Sequence, residues 1–182
     1  MTGAAVLTVD LGNTSGSLAL FDAGVEPRAV AAWGAGDEEA RLTEAVRALR
    51  DAGRAIDAVG LSAVGPEEHE RRIAALLEGL GLEVVGHPEP GLDMRIDHPE
   101  TCGADRKYAA RGALASTDAD ALVVIDAGTA LTVDAVVRTR GGAAAGAFLG
   151  GAIALGPTGL ARALSDAGAR LPSFALEPDA PA

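Results

Sequence analysis

The sequence predicts an α/β fold built twice on one plan, the second time only in part. Three observations lead there. Apolar runs of strand length alternate with segments of helical periodicity. The first part reads strand, strand, strand, helix, strand, helix, strand and helix, and the rest restarts with three strands and a helix. An apolar run that ends in Asp, with Gly and Thr after it, occurs twice: "LTVDLGNT" at Asp10 and "LVVIDAGT" at Asp126.

Each element has its own signal. Residues 4–33 read as three short strands parted by "GNTSG" and "AGVEPR", with Trp33 packing at the end of the third. Residues 38–52 place Leu42, Ala45, Val46 and Leu49 at helical spacing, and Gly53 is a C-terminal stop. "AIDAVGLSAV" reads as a buried strand. "GPEEHERRIAALLEGLG" reads as a helix with Pro66 in its first turn and acids near its start, where the helix dipole favours them. "LEVVG" is a further strand, "HPEPGLDMRIDHPETC" a loop, and "GADRKYAARGALAS" a helix. Residues 121–150 give three meandering strands, with the Ala/Gly stretch around 141–147 as a hairpin turn. In "GPTGLARALSDAGARL" Leu160, Ala163, Leu164 and Ala167 share a helix face. The boundary falls in "STDAD", giving domains over 1–117 and 118–182, the second incomplete.

Bulk properties remove several function classes. The chain has 182 residues, 48% of them hydrophobic, enough for one large or two small cores. A net charge of −11 disfavours nucleic acid as a partner, because such binding rests on neutralising phosphates. Aromatic content of 3% argues against a base-stacking platform. Cys102 is the only cysteine and reads as a small buried filler; no intrachain disulfide can form, which fits a reducing, cytoplasmic setting. The first residues show neither a secretory signal nor a membrane span. Lys107, the only lysine, sits in "DRKYAA", so a Walker-type Gly-Lys-Ser/Thr loop is absent. His69 reads as solvated on a charged helix face, and His87 and His98 lack the second ligand pair of a zinc site.

The two Asp turns admit two readings. Asp, Gly and Asn are ordinary hairpin residues, so both turns could be plain hairpins. Alternatively, two matched turns facing each other across a cleft would offer backbone N–H groups to phosphate oxygens, with hydroxyls from Thr14 and Thr129. Asp10 and Asp126 would then hold a cation arriving with the phosphates, since carboxylates are hard oxygen ligands. "GADR" at 103–106 is likewise open: a capped helix start with a solvated arginine, or Asp105 as general base with Arg106 orienting an anionic group.

"DLGNT", "GADR", "DAGTALTVD" and "FLGGAIALG" occur in this order, and together the chain resembles the type III pantothenate kinase family, also called the Bvg accessory factor family, over most of residues 5–176. The resemblance implies the actin-like ATPase superfamily, with two ribonuclease-H-like domains and ATP between them. It implies transfer of the γ-phosphate of ATP to the primary hydroxyl of pantothenate, the first step toward coenzyme A. It also implies Mg²⁺, a monovalent cation (K⁺ or NH₄⁺), and a homodimer. By position, Asp10, Leu11, Gly12, Asn13, Thr14, Ser15, Gly16 and Ser17 form the first phosphate loop, and Thr129 contacts ATP. Gly103, Ala104, Asp105 and Arg106 touch pantothenate, with Asp105 as proton acceptor; Asp126 takes the monovalent cation and Asp10 the metal. The family's usual Tyr is Ile96 here, its Pro-Gly is Leu155-Gly156, and its members run beyond Ala182. Two rivals follow: a non-catalytic nucleotide- or pantothenate-binding regulator, and a kinase for another small hydroxylated acid. Val124, Leu131 and Val133 are expected to need cover from a second subunit.

Overall fold

The computed structural model describes residues 5–12, 15–22, 26–34, 36–86 and 89–167. The chain divides into two compact units, Met1–Pro90 with Cys102–Tyr108, and Gly91–Thr101 with Ala109–Ala182.

The first unit is a sheet of β1 (Ala5–Leu11), β2 (Ser15–Asp22), β3 (Ala29–Gly34), β4 (Ala58–Ala63) and β5 (Val84–Val85), in the order β3-β2-β1-β4-β5. β1 pairs antiparallel with β2 and parallel with β4. Side chains alternate along a strand, so β1 buries Leu7, Val9 and Leu11 and leaves Thr8 and Asp10 exposed. Two helices, α1 (Glu38–Asp51) and α2 (Glu67–Gly79), share the core of this sheet through Leu42, Val46, Leu49, Ile73 and Leu77. Each such side chain contributes about 1.5–3 kcal/mol on burial. Gly53 ends α1 as its sequence signal indicated: it has φ +69, a conformation glycine adopts without strain. Cys102 is buried and Trp33 packs into the core. His69 differs from expectation. Its Nε2 lies 2.6 Å from Glu38 Oε2, and both groups are largely buried, because the acidic start of α1 comes to the first turn of α2.

The second unit holds β6 (Leu92–Met94), β7 (Ala121–Ala127), β8 (Ala130–Arg138) and β9 (Gly146–Leu155), in the order β6-β9-β8-β7. Two departures from the sequence reading stand out. Part of the expected loop is a strand, β6, which pairs in parallel with β9 at Leu92–Gly146 through Met94–Phe148. β9 runs on to Leu155, past its expected end at residue 150, because a bulge keeps it paired. Ala135 faces Gly150 and Val136 faces Phe148, which leaves Leu149 as the extra residue. Gly150 takes the required left-handed backbone, φ +103. A third helix, α3 (Ala104–Ser116), buries Ala110 and Leu114; β8 and β9 bury the hydrophobic Val136, Ala147 and Phe148, and β8 also buries Thr132 and Asp134. Arg138 secures the exit from α3: Nη2 donates to the carbonyls of Leu114 (2.6 Å) and Thr117, and Nε to that of Ala119 (3.3 Å). A cation on the last carbonyls of a helix also suits its dipole.

The duplication is visible in the pairing. β7, β8 and β9 repeat β1, β2 and β3, and α4 (Pro157–Ala167) follows β9 as α1 follows β3. β1 lies between β2 and β4, whereas β7 is an edge that pairs with β8 alone among the described residues. The burial contrast is sharp. Val123 and Ile125 stand three and one positions before Asp126, as Leu7 and Val9 stand before Asp10. Yet they are 66% and 64% exposed, against 0% and 1%. Ile153 and Leu155 of β9 are exposed as well, and so are Leu160 and Leu164, which share a face of α4. Val124, Leu131 and Val133 are half-buried. The second domain therefore has the first unit's beginning without its later strands among the described residues.

Candidate active site

Asp10 is exposed at the end of β1 and stands directly opposite Ser17 of β2. The turn between them is a hairpin: Leu11 pairs with Gly16, and the Gly12 N–H donates to the Ser15 carbonyl at 2.8 Å. That amide is thus used within the turn and is not offered to a phosphate. The Leu11 side chain is fully buried and its carbonyl accepts the Val64 N–H at 2.9 Å, so Leu11 acts here as scaffold. Ser15 is exposed and Ser17 half-buried; Asn13 and Thr14 lie outside the described residues. Gly16 pairs with Trp33 of β3, and a Cβ on Gly16 would stand 2.6 Å from the indole ring. The glycine is required by the tryptophan that covers it.

The second turn has the same plan but is one residue shorter, since Asp126 pairs with Thr132 six positions on, whereas Asp10 pairs with Ser17 seven positions on. Asp126 is exposed at the end of β7, opposite Thr132 of β8, which is buried. The Gly128 N–H donates internally, to Ala130 O at 2.9 Å. Thr129 is exposed at the tip, and its carbonyl accepts the Gly156 N–H at 2.9 Å, tying the turn to the start of α4.

The third group opens α3. The Gly103 carbonyl accepts the Lys107 N–H at 3.3 Å, which starts the helix. Asp105 follows in the first turn, half-buried, where its charge suits the helix dipole. Its Oδ1 accepts the backbone N–H of Arg106 at 2.8 Å. The carboxylate lies over Gly103, where any Cβ would collide with it. Ala104 and Arg106 are half-buried beside it. One turn on, burial and the Glu89 and Glu70 carboxylates push the Tyr108 phenol above its ordinary pKa, so it stays neutral at physiological pH.

Among the described residues no three of His, Cys, Asp and Glu gather as a metal cluster. A cation here would rest on one carboxylate, completed by phosphate oxygens and water, a common arrangement for nucleotide-bound Mg²⁺. Exposed Asp10 and Asp126 both fit that role. His98 is exposed beside Glu100, 3.3 Å away, and His87 lies outside the described residues. Ile96 packs against Gly150, with Cγ2 3.1 Å from where a Cβ would stand. Three of these features escaped the sequence reading: the Trp33–Gly16 contact, Thr132 opposite Asp126, and the seat of Ile96. Counting two-residue alternation outward from each turn would have found the second.

The folding plan of both units defines a protein of the α/β class, with a second domain incomplete among the described residues. Solved structures agree on the fold. A Campylobacter jejuni protein described as a Baf family transcriptional activator matches with a TM-score of 0.52 and 18% identity, over 96% of this chain and 66% of its own. The ethanolamine utilization protein EutJ from Carboxydothermus hydrogenoformans matches with a TM-score of 0.51 and 19% identity, over 95% of this chain and 60% of its own. Sequence relatives carry the assignment further. The family model for type III pantothenate kinase matches residues 6–181. The type III pantothenate kinase of Thermus thermophilus is 37% identical over 95% of this chain and 69% of its own length. That of Caulobacter vibrioides is 36% identical over 94% of this chain and 66% of its own. The chain belongs to the type III pantothenate kinase family and spans about two thirds of the length of these relatives. Its activity class is ATP-dependent phosphorylation of pantothenate, in coenzyme A biosynthesis.

The Trp33–Gly16 contact makes a direct prediction. Gly16→Ala must displace the ring, and overpacking of this kind costs about 1–3 kcal/mol. Trp33 is the sole tryptophan, so its emission should shift to longer wavelength as the ring moves toward solvent. An unchanged spectrum and melting temperature would contradict the contact.

Proposed function

We propose that Asp105 is the proton acceptor when the primary hydroxyl of pantothenate attacks the γ-phosphoryl group of ATP. One observation carries the reading: the Asp105 carboxylate is half-buried and held in the first turn of α3 by the Arg106 N–H and by the room left at Gly103. A general base acts only within hydrogen-bond reach of its proton, so a fixed carboxylate is worth more than a mobile one. Arg106, next to it, pairs with the carboxylate of pantothenate, and Gly103 and Ala104 line the same subsite. The hydroxyls of Ser15 and Ser17, and by resemblance the side-chain amide of Asn13 and the hydroxyl of Thr14, donate to phosphate oxygens, as the Thr129 hydroxyl does at the second turn. Asp10 holds the Mg²⁺ of Mg·ATP and Asp126 the monovalent cation, K⁺ or NH₄⁺. These ions supply neutralisation of charge on the phosphate oxygens, and the protein's share is positioning.

A homodimer completes the reading. Val123 and Ile125 occupy positions that form core in the first unit, and apolar surface of this kind marks an interface. The location is cytoplasmic, as the substrates require; among the described residues no helix is long and apolar enough to cross a membrane. A net charge of −11 speaks against a nucleic-acid partner. A second acceptor, another small hydroxylated acid, is favoured by Ile96, which fills its place against Gly150 with a side chain that cannot hydrogen-bond.

Three outcomes test these roles. Asp105→Asn should keep Mg·ATP affinity and lower kcat with pantothenate by roughly 10²–10⁴; an unchanged kcat removes Asp105 from the mechanism. Replacing K⁺ by Na⁺ at constant ionic strength should slow turnover in the unmutated chain and make no further difference in Asp126→Ala. Indifference of the unmutated chain argues against a cation at Asp126. Sedimentation at micromolar concentration should give a dimer that Val123→Glu dissociates, whereas a monomer throughout contradicts the shared interface.

A further inference from the structure

Ser62 lies on β4, and its register partner on β1 is Asp10. On the other side of Asp10 the partner is Ser17 of β2. In-register residues on neighbouring strands point to the same face and stand about 5 Å apart. Ser17, Asp10 and Ser62 therefore form one polar row across three strands. The row crosses the carboxyl ends of β1 and β4, which run parallel; α/β sheets take their ligands at such ends. The pairing holds beyond the row, since the Val64 N–H donates to the Leu11 carbonyl at 2.9 Å.

The Ser62 hydroxyl is buried and has no hydrogen-bond partner among the described residues. A buried unpartnered hydroxyl costs free energy that an alanine would not. Nothing in the packing of β4 calls for a hydroxyl: its core contacts come from Val59 and Leu61, and Ala58 and Gly60, on the opposite face with Ser62, bring no polar side-chain atom. An orphan next to a candidate cation ligand is the kind of exception that function explains.

We propose that Ser62 is a positioning residue for Asp10, its hydroxyl donating to the Asp10 carboxylate in the Mg·nucleotide-bound protein. The inference rests on the reading of Asp10 as the Mg²⁺-holding residue and adds a residue from β4 to it. The bond fixes the orientation of a carboxylate that is exposed at the strand end, so less order has to be imposed when the cation arrives.

Calorimetry on the full chain with a non-hydrolysable ATP analogue, titrated at several Mg²⁺ concentrations, tests this. Ser62→Ala should raise the Mg²⁺ concentration at half-saturation by about 3- to 10-fold, the size expected for the net loss of one ordinary hydrogen bond. Its melting temperature without ligand should be unchanged or higher, and its affinity for the analogue without Mg²⁺ should match the unmutated chain. Ser62→Thr, which keeps the hydroxyl, should restore the Mg²⁺ midpoint to within about twofold. Equal Mg²⁺ midpoints for Ser62→Ala and the unmutated chain overturn the inference, as does a loss that is the same with and without Mg²⁺. Asp10→Asn separates the two levels. If it shifts the midpoint and Ser62→Ala does not, Ser62 alone is wrong. If Asp10→Asn has no effect, or the unmutated chain binds no Mg·nucleotide, the reading of Asp10 falls and takes the inference with it.

Discussion

Strand register is the constraint on which this molecule depends. Along β1 the side chains alternate, and burial of Leu7, Val9 and Leu11 forces Thr8 and Asp10 to the opposite face. Pairing with β2 then sets Asp10 beside Ser17, and pairing of β7 with β8 sets Asp126 beside Thr132. A slip of one residue would turn every side chain over and bury the carboxylate. The core of the first unit thus fixes the chemistry at its edge. A hydrophobic pattern that serves stability also decides which way the candidate cation ligand points.

The same register shows what differs between the two copies. Val123 and Ile125 hold the places of Leu7 and Val9 and are nonetheless exposed. Local sequence makes the hairpin in both units, because Asp, Gly and Thr close the turn and alternating apolar residues extend it. Packing on the core face is a separate matter. In the first unit α1 and α2 supply it. In the second, Leu160 and Leu164 of α4 remain exposed among the described residues, so helix periodicity alone did not place them in a core.

Much of the fold was legible because its signals are local. Leu42, Val46 and Leu49 announced α1, Gly53 announced its end, and the two Asp turns announced the repeat. β6 was not legible: a three-residue strand in a Pro-rich stretch has too short a period, and only its pairing with β9 makes it a strand. The extension of β9 was hidden by "LGG", where a bulge at Leu149 and a left-handed Gly150 continue a strand that composition alone would end. His69 read as solvated because its partner, Glu38, lies 31 residues away on another helix. In the candidate site, residue types at Asp10, Asp105 and Asp126 were visible, and their hydrogen bonds were not. That the Gly12 and Gly128 amides are spent inside their turns is a fact of three-dimensional pairing.

As proposed above, the two Asp-ended strands are repeats in function as well as in fold, Asp10 holding Mg²⁺ and Asp126 the monovalent cation. The most direct measurement is the calorimetric affinity for Mg·ATP analogue in Asp10→Ala and in Asp126→Ala, each compared with the unmutated chain in K⁺ buffer. Binding should be weaker in both, by about tenfold or more, as expected when a charged ligand group is removed. Affinity equal to that of the unmutated chain in both variants would contradict these roles.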